Sequence, residues 1–241
     1  MHRLLHAAWE VALETLWPTR CAVCDLPGER VLCARCEEKL ASIDSCKACP
    51  RCGAPYGLTQ CTECNDVMLN AAGIDHFPLD AMAHALVLDE AARRIVSVYK
   101  DSDERRLCSF IAERMARLVS PEEIQASYAI TYIPDSREAF RRRGFDHGQE
   151  LAAEMAQLCR LPCIDAFERP RSADQRKLGR YDRIKNMQGQ LQVRSGLEVP
   201  EKLIVVDDVC TTGATIYAAC TALREAGATS IHAITFAQVM E

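Results

Sequence analysis

Paired cysteines dominate the first quarter of the chain and limit what that part can fold into. Nine of the fourteen cysteines lie between positions 21 and 64, and eight of these nine form four Cys-x-x-Cys pairs. In each half of the segment, eight residues separate one pair from the next, which indicates an internal duplication. The segment has few large apolar residues, so a bound metal must replace the hydrophobic core that it lacks.

Zinc is the metal that this spacing favours, because two residues between thiolates suit a turn that directs both sulfurs to one tetrahedral ion. A disulfide framework would need an oxidising compartment, and Glu10 and Glu14 interrupt the apolar stretch that an export signal requires. We therefore expect a cytoplasmic protein with two closed, structural Zn²⁺ sites. An interleaved pairing also fits the spacing. In sequential order the predicted ligands are Cys21, Cys24, Cys33 and Cys36, then Cys49, Cys52, Cys61 and Cys64.

Beyond residue 70 the pattern changes to alternating strands and helices. We predict a module over residues 1–70, opening with an amphipathic helix, and a second domain over residues 71–241. Strands are predicted at 82–88, 127–133, 202–206 and 230–239, and helices at 90–100, 107–119, 150–158 and 213–226. Strands separated by helices, with the most apolar strand at the centre, indicate an α/β fold whose parallel sheet is covered by helices on both faces. No apolar run reaches the ~18 residues of a membrane span.

The candidate site follows the most apolar strand, which ends in Asp207 and Asp208. The loop after these acids holds small and hydroxyl residues and leads into a helix: Thr211, Thr212, Gly213, Ala214 and Thr215. Ligands of open α/β sheets lie at the carboxyl ends of strands, and helix N-termini bind phosphates through free N–H groups. Two acids would repel a bare phosphate, so the ligand should also offer hydroxyls or Mg²⁺, as a ribose 5-phosphate offers the first. In the simpler interpretation, the acids finish a strand and Thr212 caps a helix.

Charge is unevenly distributed along the chain. The net charge of −5 argues against a general polyanion binder, yet residues 137–194 carry thirteen basic and eight acidic side chains. These cations are suited to the backbone of a single-stranded nucleic acid, and equally to solvated helix faces and ion pairs. The predicted nucleic-acid contacts are Arg141, Arg142, Arg143, Arg171, Arg176, Lys177 and Arg180.

Taken together, these segments resemble the ComF family of competence proteins over nearly the whole chain. The resemblance is carried by WPTRCAVC at 17–24, RRRGF at 141–145, RPRSADQRKLGRYDRIKN at 169–186 and the loop at 207–215. That loop is similar to the phosphoribosyl-pyrophosphate (PRPP) loop of type I phosphoribosyltransferases. The family implies a phosphoribosyltransferase domain behind a zinc-binding module, with a role in uptake or use of DNA.

The resemblance also implies roles for individual residues. Asp207 and Asp208 would contact the ribose hydroxyls and stabilise positive charge on the sugar, and residues 211–215 would hold the 5-phosphate. Lys100 would lie near the pyrophosphate, which Mg²⁺ accompanies. Where the family has Asn-Gln after Arg-Gly-Phe, this chain has Asp146 and His147.

The acceptor is not specified by any constellation of residues, so two classes of function stay open. One is a phosphoribosyltransferase with an unknown acceptor. The other is a non-catalytic protein that binds single-stranded DNA or a helicase of the uptake machinery. A zinc-dependent transcription factor fits less well, because the first 70 residues carry two more acidic than basic groups. The five cysteines after residue 100 are expected to be small core residues, and the histidines to lie apart from carboxylates.

Overall fold

The computed structural model describes residues 18–59, 61–71, 73–170, 187 and 189–240. The predicted helix in the first twenty residues lies outside this part of the chain, except for its last three positions. Four of the predicted nucleic-acid contacts also lie outside it: Arg171, Arg176, Lys177 and Arg180.

The core of the fold is a parallel sheet, as predicted. Its strands are β1 (Ala81–Val87), β2 (Ala129–Tyr132), β3 (Lys202–Cys210) and β4 (Ser230–Gln238), in the order β1-β4-β3-β2. Every neighbouring pair is parallel. The apolar strand β3 is therefore an inner strand, and its carboxyl end lies at the same edge of the sheet as the ends of β2 and β4.

Helices cover both faces of this sheet. They are α1 (Ala34–Glu37), α2 (Asp66–Ala71), α3 (Glu90–Asp101), α4 (Leu107–Ala116), α5 (Pro121–Gln125), α6 (Arg137–Arg143), α7 (His147–Cys159) and α8 (Ala214–Glu225). Side chains of α3, α4 and α7 pack with Ile204 and Val206 on one face. Those of α8 pack with Leu203 and Val205 on the other. Alternate residues of β3 thus serve opposite cores, which explains its continuous apolar run.

Two short helices of the sheet domain are not predicted from the sequence, because they bury few apolar side chains. Helix α6 begins after Ser136, whose hydroxyl accepts a hydrogen bond from Ala139 N, and ends at Gly144 with φ 79°. Helix α5 follows a capping box formed by Ser120 and Glu123. Cap residues at both positions were visible in the sequence, whereas hydrophobic periodicity was absent.

The cysteine-rich segment packs directly against the sheet domain. Ser42, between the two cysteine groups, forms an antiparallel bridge with Leu86 of β1. Val87 N donates to the Ala41 carbonyl at 2.8 Å, so this connection extends the sheet beyond its first strand. Cys21 and Leu32 belong to the same apolar cluster as the inward faces of α3 and α4. The boundary at residue 70 stays a prediction.

The cysteines after residue 100 mostly occupy the interior. Cys159, Cys210 and Cys220 are buried and Cys108 is half-buried, in line with the expectation. Cys163 is exposed, so the prediction is wrong there. It pairs with Ile130 at the outer side of β2, the last strand on that side of the described sheet.

Candidate functional site

The eight paired cysteines form two groups of four in sequential order. Within each group all four sulfurs lie within 4.8 Å of one another. In the second group the Cys49–Cys64 and Cys52–Cys61 sulfurs are 3.6 and 3.5 Å apart. Sulfurs bound at ~2.3 Å to one tetrahedral ion lie about 3.8 Å apart, so both groups fit structural zinc ribbons. The structure groups the sulfurs in the sequential order and not in the interleaved one.

The second ribbon (residues 49–64) is fastened to two strands of the sheet. His84 of β1 contacts the Cys52 carbonyl with Nε2 at 2.8 Å and Thr235 Oγ1 with Nδ1 at 2.7 Å. Burial lowers the pKa of His84 to about 4, despite the opposing effect of the Cys52 carbonyl, so the imidazole is neutral. Gly53, with φ 68°, lets the backbone lie against Met82, whose carbonyl oxygen a Cβ would meet at 2.5 Å. The ribbon and the sheet therefore form one packed unit here.

Asp207 and Asp208 both belong to β3, which continues to Cys210, but they occupy different environments. Asp207 is half-buried, and its Oδ1 accepts a hydrogen bond from Asp208 N at 2.9 Å. The Asp208 side chain is only 4% exposed. Lys100 Nζ lies 2.5 Å from its Oδ2, and His147 Nε2 lies 3.6 Å from its Oδ1. In this conformation only Asp207 is accessible to a ligand.

The electrostatics of the two acids also differ. Burial and the neighbouring Asp208 carboxylate raise the pKa of Asp207 above its ordinary value. Burial alone would also raise the pKa of Asp208, but Lys100 and His147 outweigh it and hold that pKa well below the usual range. Asp208 is therefore ionised at neutral pH, and it is compensated by cations inside the protein.

The loop after β3 makes a tight turn into α8. Gly213 is the N-cap residue with φ 75°, and a Cβ there would lie 2.7 Å from Tyr217 Cζ. Because glycine has no side chain to cap the helix, the first-turn N–H groups are not capped from that position. Thr211 is exposed and Thr215 half-buried, whereas Thr212 and Ala214 are buried. Thr212 Oγ1 accepts a long hydrogen bond from Ala214 N at 3.4 Å. Thr212 thus caps α8 weakly, the role that the simpler interpretation of the sequence gives it.

His147 joins the candidate site to a neighbouring strand end. Its Nδ1 lies 2.8 Å from Asp135 Oδ2, just after β2, while its Nε2 faces Asp208. The expectation that the histidines lie apart from carboxylates is wrong, both here and at His232, which contacts Glu123 at 2.5 Å. Asp135 was missed, although its position directly after a predicted strand next to Pro134 was a usable signal.

Burial and the Lys100 charge would lower the pKa of His147, but its hydrogen bonds to Asp135 and Asp208 prevail and raise it to about 9. The imidazole is consequently protonated at neutral pH. A cation between two buried carboxylates holds the ends of β2 and β3 together, because each carboxylate needs a positive partner once water is removed.

The predicted basic surface is only partly exposed. Arg141 and Arg142 on α6 are exposed. Arg143 was expected to join them, but its side chain is only 12% exposed. Its guanidinium contacts Asp135 at 2.8 Å and Asp101 at 3.3 Å, so it serves an internal ion-pair network. Of the predicted contacts within the described residues, Arg141 and Arg142 remain available to a nucleic acid.

Comparison with known proteins bears on both parts of the chain. A double zinc ribbon domain model matches residues 12–68, and a phosphoribosyl transferase domain model matches residues 180–241, which include the loop. Competence protein ComFC of Streptococcus pneumoniae is 24% identical over 204 residues, covering 83% of this chain and 84% of that protein. The chain is similar to ComF-family proteins over both of its parts. No helix in the described part of the chain has the length and apolarity to cross a bilayer.

Two solved structures with some similarity to this chain are phosphoribosyltransferases. An orotate phosphoribosyltransferase from Aeropyrum pernix is 20% identical, with a TM-score of 0.33, over 59% of this chain and 62% of that one. A hypoxanthine phosphoribosyl transferase from Trypanosoma cruzi is 10% identical, with a TM-score of 0.35, over 56% and 65%. The matched region thus spans less than two thirds of either enzyme.

Proposed function

We propose that this protein binds PRPP, together with Mg²⁺, at the junction of β3 and α8 and serves in the uptake or use of DNA in the cytoplasm. The observation that carries the proposal is that Asp207 is accessible at the carboxyl end of β3, six residues before the Gly213-capped start of α8. An anion-binding helix terminus beside a carboxylate suits a ligand with both phosphate and hydroxyl groups. The match of this region to a phosphoribosyl transferase model supports the assignment.

Each part of the junction would contact a different part of PRPP. The N–H groups of the first turn of α8, with the hydroxyls of Thr211 and Thr215, would hold the 5-phosphate. Asp207 would accept hydrogen bonds from the ribose hydroxyls. Mg²⁺ bound with the ligand would neutralise charge on the pyrophosphate. Lys100, one side chain away, would turn from Asp208 toward the pyrophosphate and so expose Asp208 to the ribose.

In a transfer reaction, positive charge would develop on the ribose ring as its bond to pyrophosphate breaks. Asp207 and the uncovered Asp208 would stabilise that charge from fixed positions on β3, at no cost of reorganising solvent. Asp208 is already ionised, because Lys100 and His147 compensate it. When Lys100 turns away, His147 would remain as the cation that keeps the Asp208 carboxylate ionised while it faces the sugar.

Isothermal titration of the zinc-loaded full chain with PRPP and Mg²⁺ tests the donor site. At pH 9, above the Asp207 pKa of about 8, we expect saturable binding by the wild type and a loss of at least about tenfold in Asp207→Asn, since one charge-assisted contact contributes roughly 1.5–3 kcal/mol. Asp75→Asn, an exposed acid outside the site, is the matched control. Absence of binding by the wild type contradicts the proposal. Pyrophosphate release with a panel of bases then distinguishes an enzyme from a binding protein.

A second candidate is a non-catalytic adaptor that binds single-stranded DNA or a competence helicase through the same fold. The observation in its favour is the exposed pair Arg141 and Arg142 on α6. PRPP binding without pyrophosphate release under every base would favour this candidate, because the site would then act as a sensor of the ligand.

A further inference from the structure

A cavity of about 200 Å³ lies between the second zinc ribbon and the end of β4. Tyr56 and Thr62 line it from the ribbon, and Gln238, Val239 and Met240 line it from the sheet. Pockets for drug-sized ligands measure ~300–1,000 Å³, so this cavity has room for one ring and its substituents.

Gln238 is the polar group that marks this cavity as a binding site. The residue is 4% exposed, and its Oε1 has no hydrogen-bond partner within the described part of the chain. Buried amide groups are normally paired, and an unpaired one costs stability. His84, buried in the same sheet, has partners for both ring nitrogens. Gln238 Oε1 is closed to solvent in this conformation, so the Gln238 side chain would turn into the cavity to meet a ligand that donates an N–H.

The cavity adjoins the loop proposed to hold PRPP. Gln238 is in register with Cys210 of β3, and Val239 N donates to the Cys210 carbonyl at 2.9 Å. Cys210 immediately precedes Thr211, the first residue of that loop. One backbone hydrogen bond, from Val239 in the cavity wall to Cys210 just before the loop, thus joins the cavity to the proposed PRPP site at the carboxyl ends of the strands.

We infer that this cavity is the acceptor subsite and that it takes a single-ring heterocycle with an N–H next to a carbonyl, the class to which pyrimidine bases belong. A carboxamide complements this edge, since its oxygen accepts from the ring N–H while its NH₂ donates to the ring carbonyl. Tyr56, 72% exposed at the rim, offers an aromatic face to the ring. The inference rests on the proposed function.

Transfer at this subsite would join a ring nitrogen to C1 of the ribose while the C1–O bond to pyrophosphate breaks. The bonding electrons leave with pyrophosphate, and the proton from the ring nitrogen passes to solvent. The second ribbon would thereby form one wall of the acceptor site, which gives the zinc module a direct part in substrate recognition.

Ligand-observed NMR with uracil tests the inference on the zinc-loaded full chain, with and without PRPP and Mg²⁺. We expect uracil to bind the wild type, and Gln238→Leu to weaken that binding roughly tenfold through loss of the paired hydrogen bonds. Gln125→Leu, which alters an exposed glutamine on α5, should bind as the wild type does. Hypoxanthine, with two rings, should bind more weakly than uracil.

Folding of the variant is checked independently. Gln238→Leu removes an unpaired buried carbonyl, so its melting temperature should not fall below that of the wild type. Tyr56→Ala, at the exposed rim, should also weaken uracil binding without affecting the interior. A wild type that does not bind uracil, or a Gln238→Leu variant that binds it equally well, overturns the inference. If the proposal of PRPP binding is wrong, the result differs: titration with PRPP gives no heat, while uracil still binds.

Discussion

The Lys100 ammonium lies 2.5 Å from the Asp208 carboxylate, which is almost completely removed from solvent. Its neighbour Asp207 is half-buried and contacts the Asp208 backbone. Two adjacent acids of one strand thus have separate tasks: Asp208 holds internal cations, and Asp207 faces the candidate site. This division makes their substitutions distinguishable.

Asp208→Asn should destabilise the protein by about 3 kcal/mol, because Lys100 and His147 lose the anion that compensates them in the interior. Asp207→Asn should change the free energy of unfolding at neutral pH by less than about 1 kcal/mol, since the raised pKa of Asp207, about 8, already leaves that carboxyl largely uncharged. Urea unfolding of the zinc-loaded variants measures both values. Equal losses in the two variants would contradict the assignment of separate roles.

Protonation of His147 should make the stability depend on pH. The pKa of His147 is about 9 in the folded protein, against an ordinary value of 6.5. Its contribution is therefore complete below about pH 6.5 and lost as the pH rises through 9. We expect the free energy of unfolding to fall between pH 7 and 9.5, by at most ~1.4 kcal/mol per pH unit.

The matched variant for this prediction is His147→Gln, which keeps a hydrogen-bonding side chain but cannot be protonated in this range. Its stability should be lower at pH 7 and should change less with pH than that of the wild type. Parallel pH profiles of the two proteins, measured by urea unfolding, would show that other groups cause the dependence.

Removal of zinc should disturb the sheet domain as well as the ribbons. Cys21 and Leu32 share an apolar cluster with α3 and α4, and Arg94 Nε donates to the Ala22 carbonyl at 2.9 Å. Chelation should therefore increase amide hydrogen exchange in residues 90–116. Cys21→Ser should lower the zinc content toward one ion per chain, whereas Cys163→Ser, outside both clusters, should leave it unchanged. Unaltered exchange in 90–116 after chelation would refute the coupling.

The exposed arginines of α6 should control the salt dependence of any binding to single-stranded DNA. Each phosphate contact contributes ~0.7 to the slope of log affinity against log salt, so Arg141→Ala with Arg142→Ala should reduce the slope by roughly 1.4. Fluorescence anisotropy with an oligonucleotide of about 40 bases at several salt concentrations measures it. Arg117→Ala, also exposed, is the control. An unchanged slope in the double variant would exclude this face from DNA binding.

Features encoded within a short segment were predictable from sequence. Each ribbon closes within sixteen residues, and the turn at Gly213 follows the acids directly, so spacing and residue type suffice for both. The sheet followed from the alternation of apolar strands with helices. Strand β3 extends four residues beyond the predicted end because Asp207 and Val209 pair with Thr235 and Ala237 of β4, a pairing that the carboxylates obscured.

The ion pairs of the site were not predictable in the same way. Lys100, Asp135, His147 and Asp208 come from four separate elements, and they meet because β2 and β3 are neighbours that end at one edge. The order of strands decides which charges become partners, and local sequence does not reveal it. For the same reason Arg143 was grouped with two exposed neighbours, although the Asp135 and Asp101 carboxylates draw it inward.

The backbone bridge between Ser42 and Leu86 has a consequence for cells short of zinc. Within the described residues β1 is the last strand on its side of the sheet, and the connection between the ribbons bonds its Ala85 carbonyl and Val87 N–H. A chain that fails to acquire its metal would leave those groups bare, and bare strand edges recruit other chains. Metal supply would then decide between a monodisperse protein and one that self-associates into insoluble material.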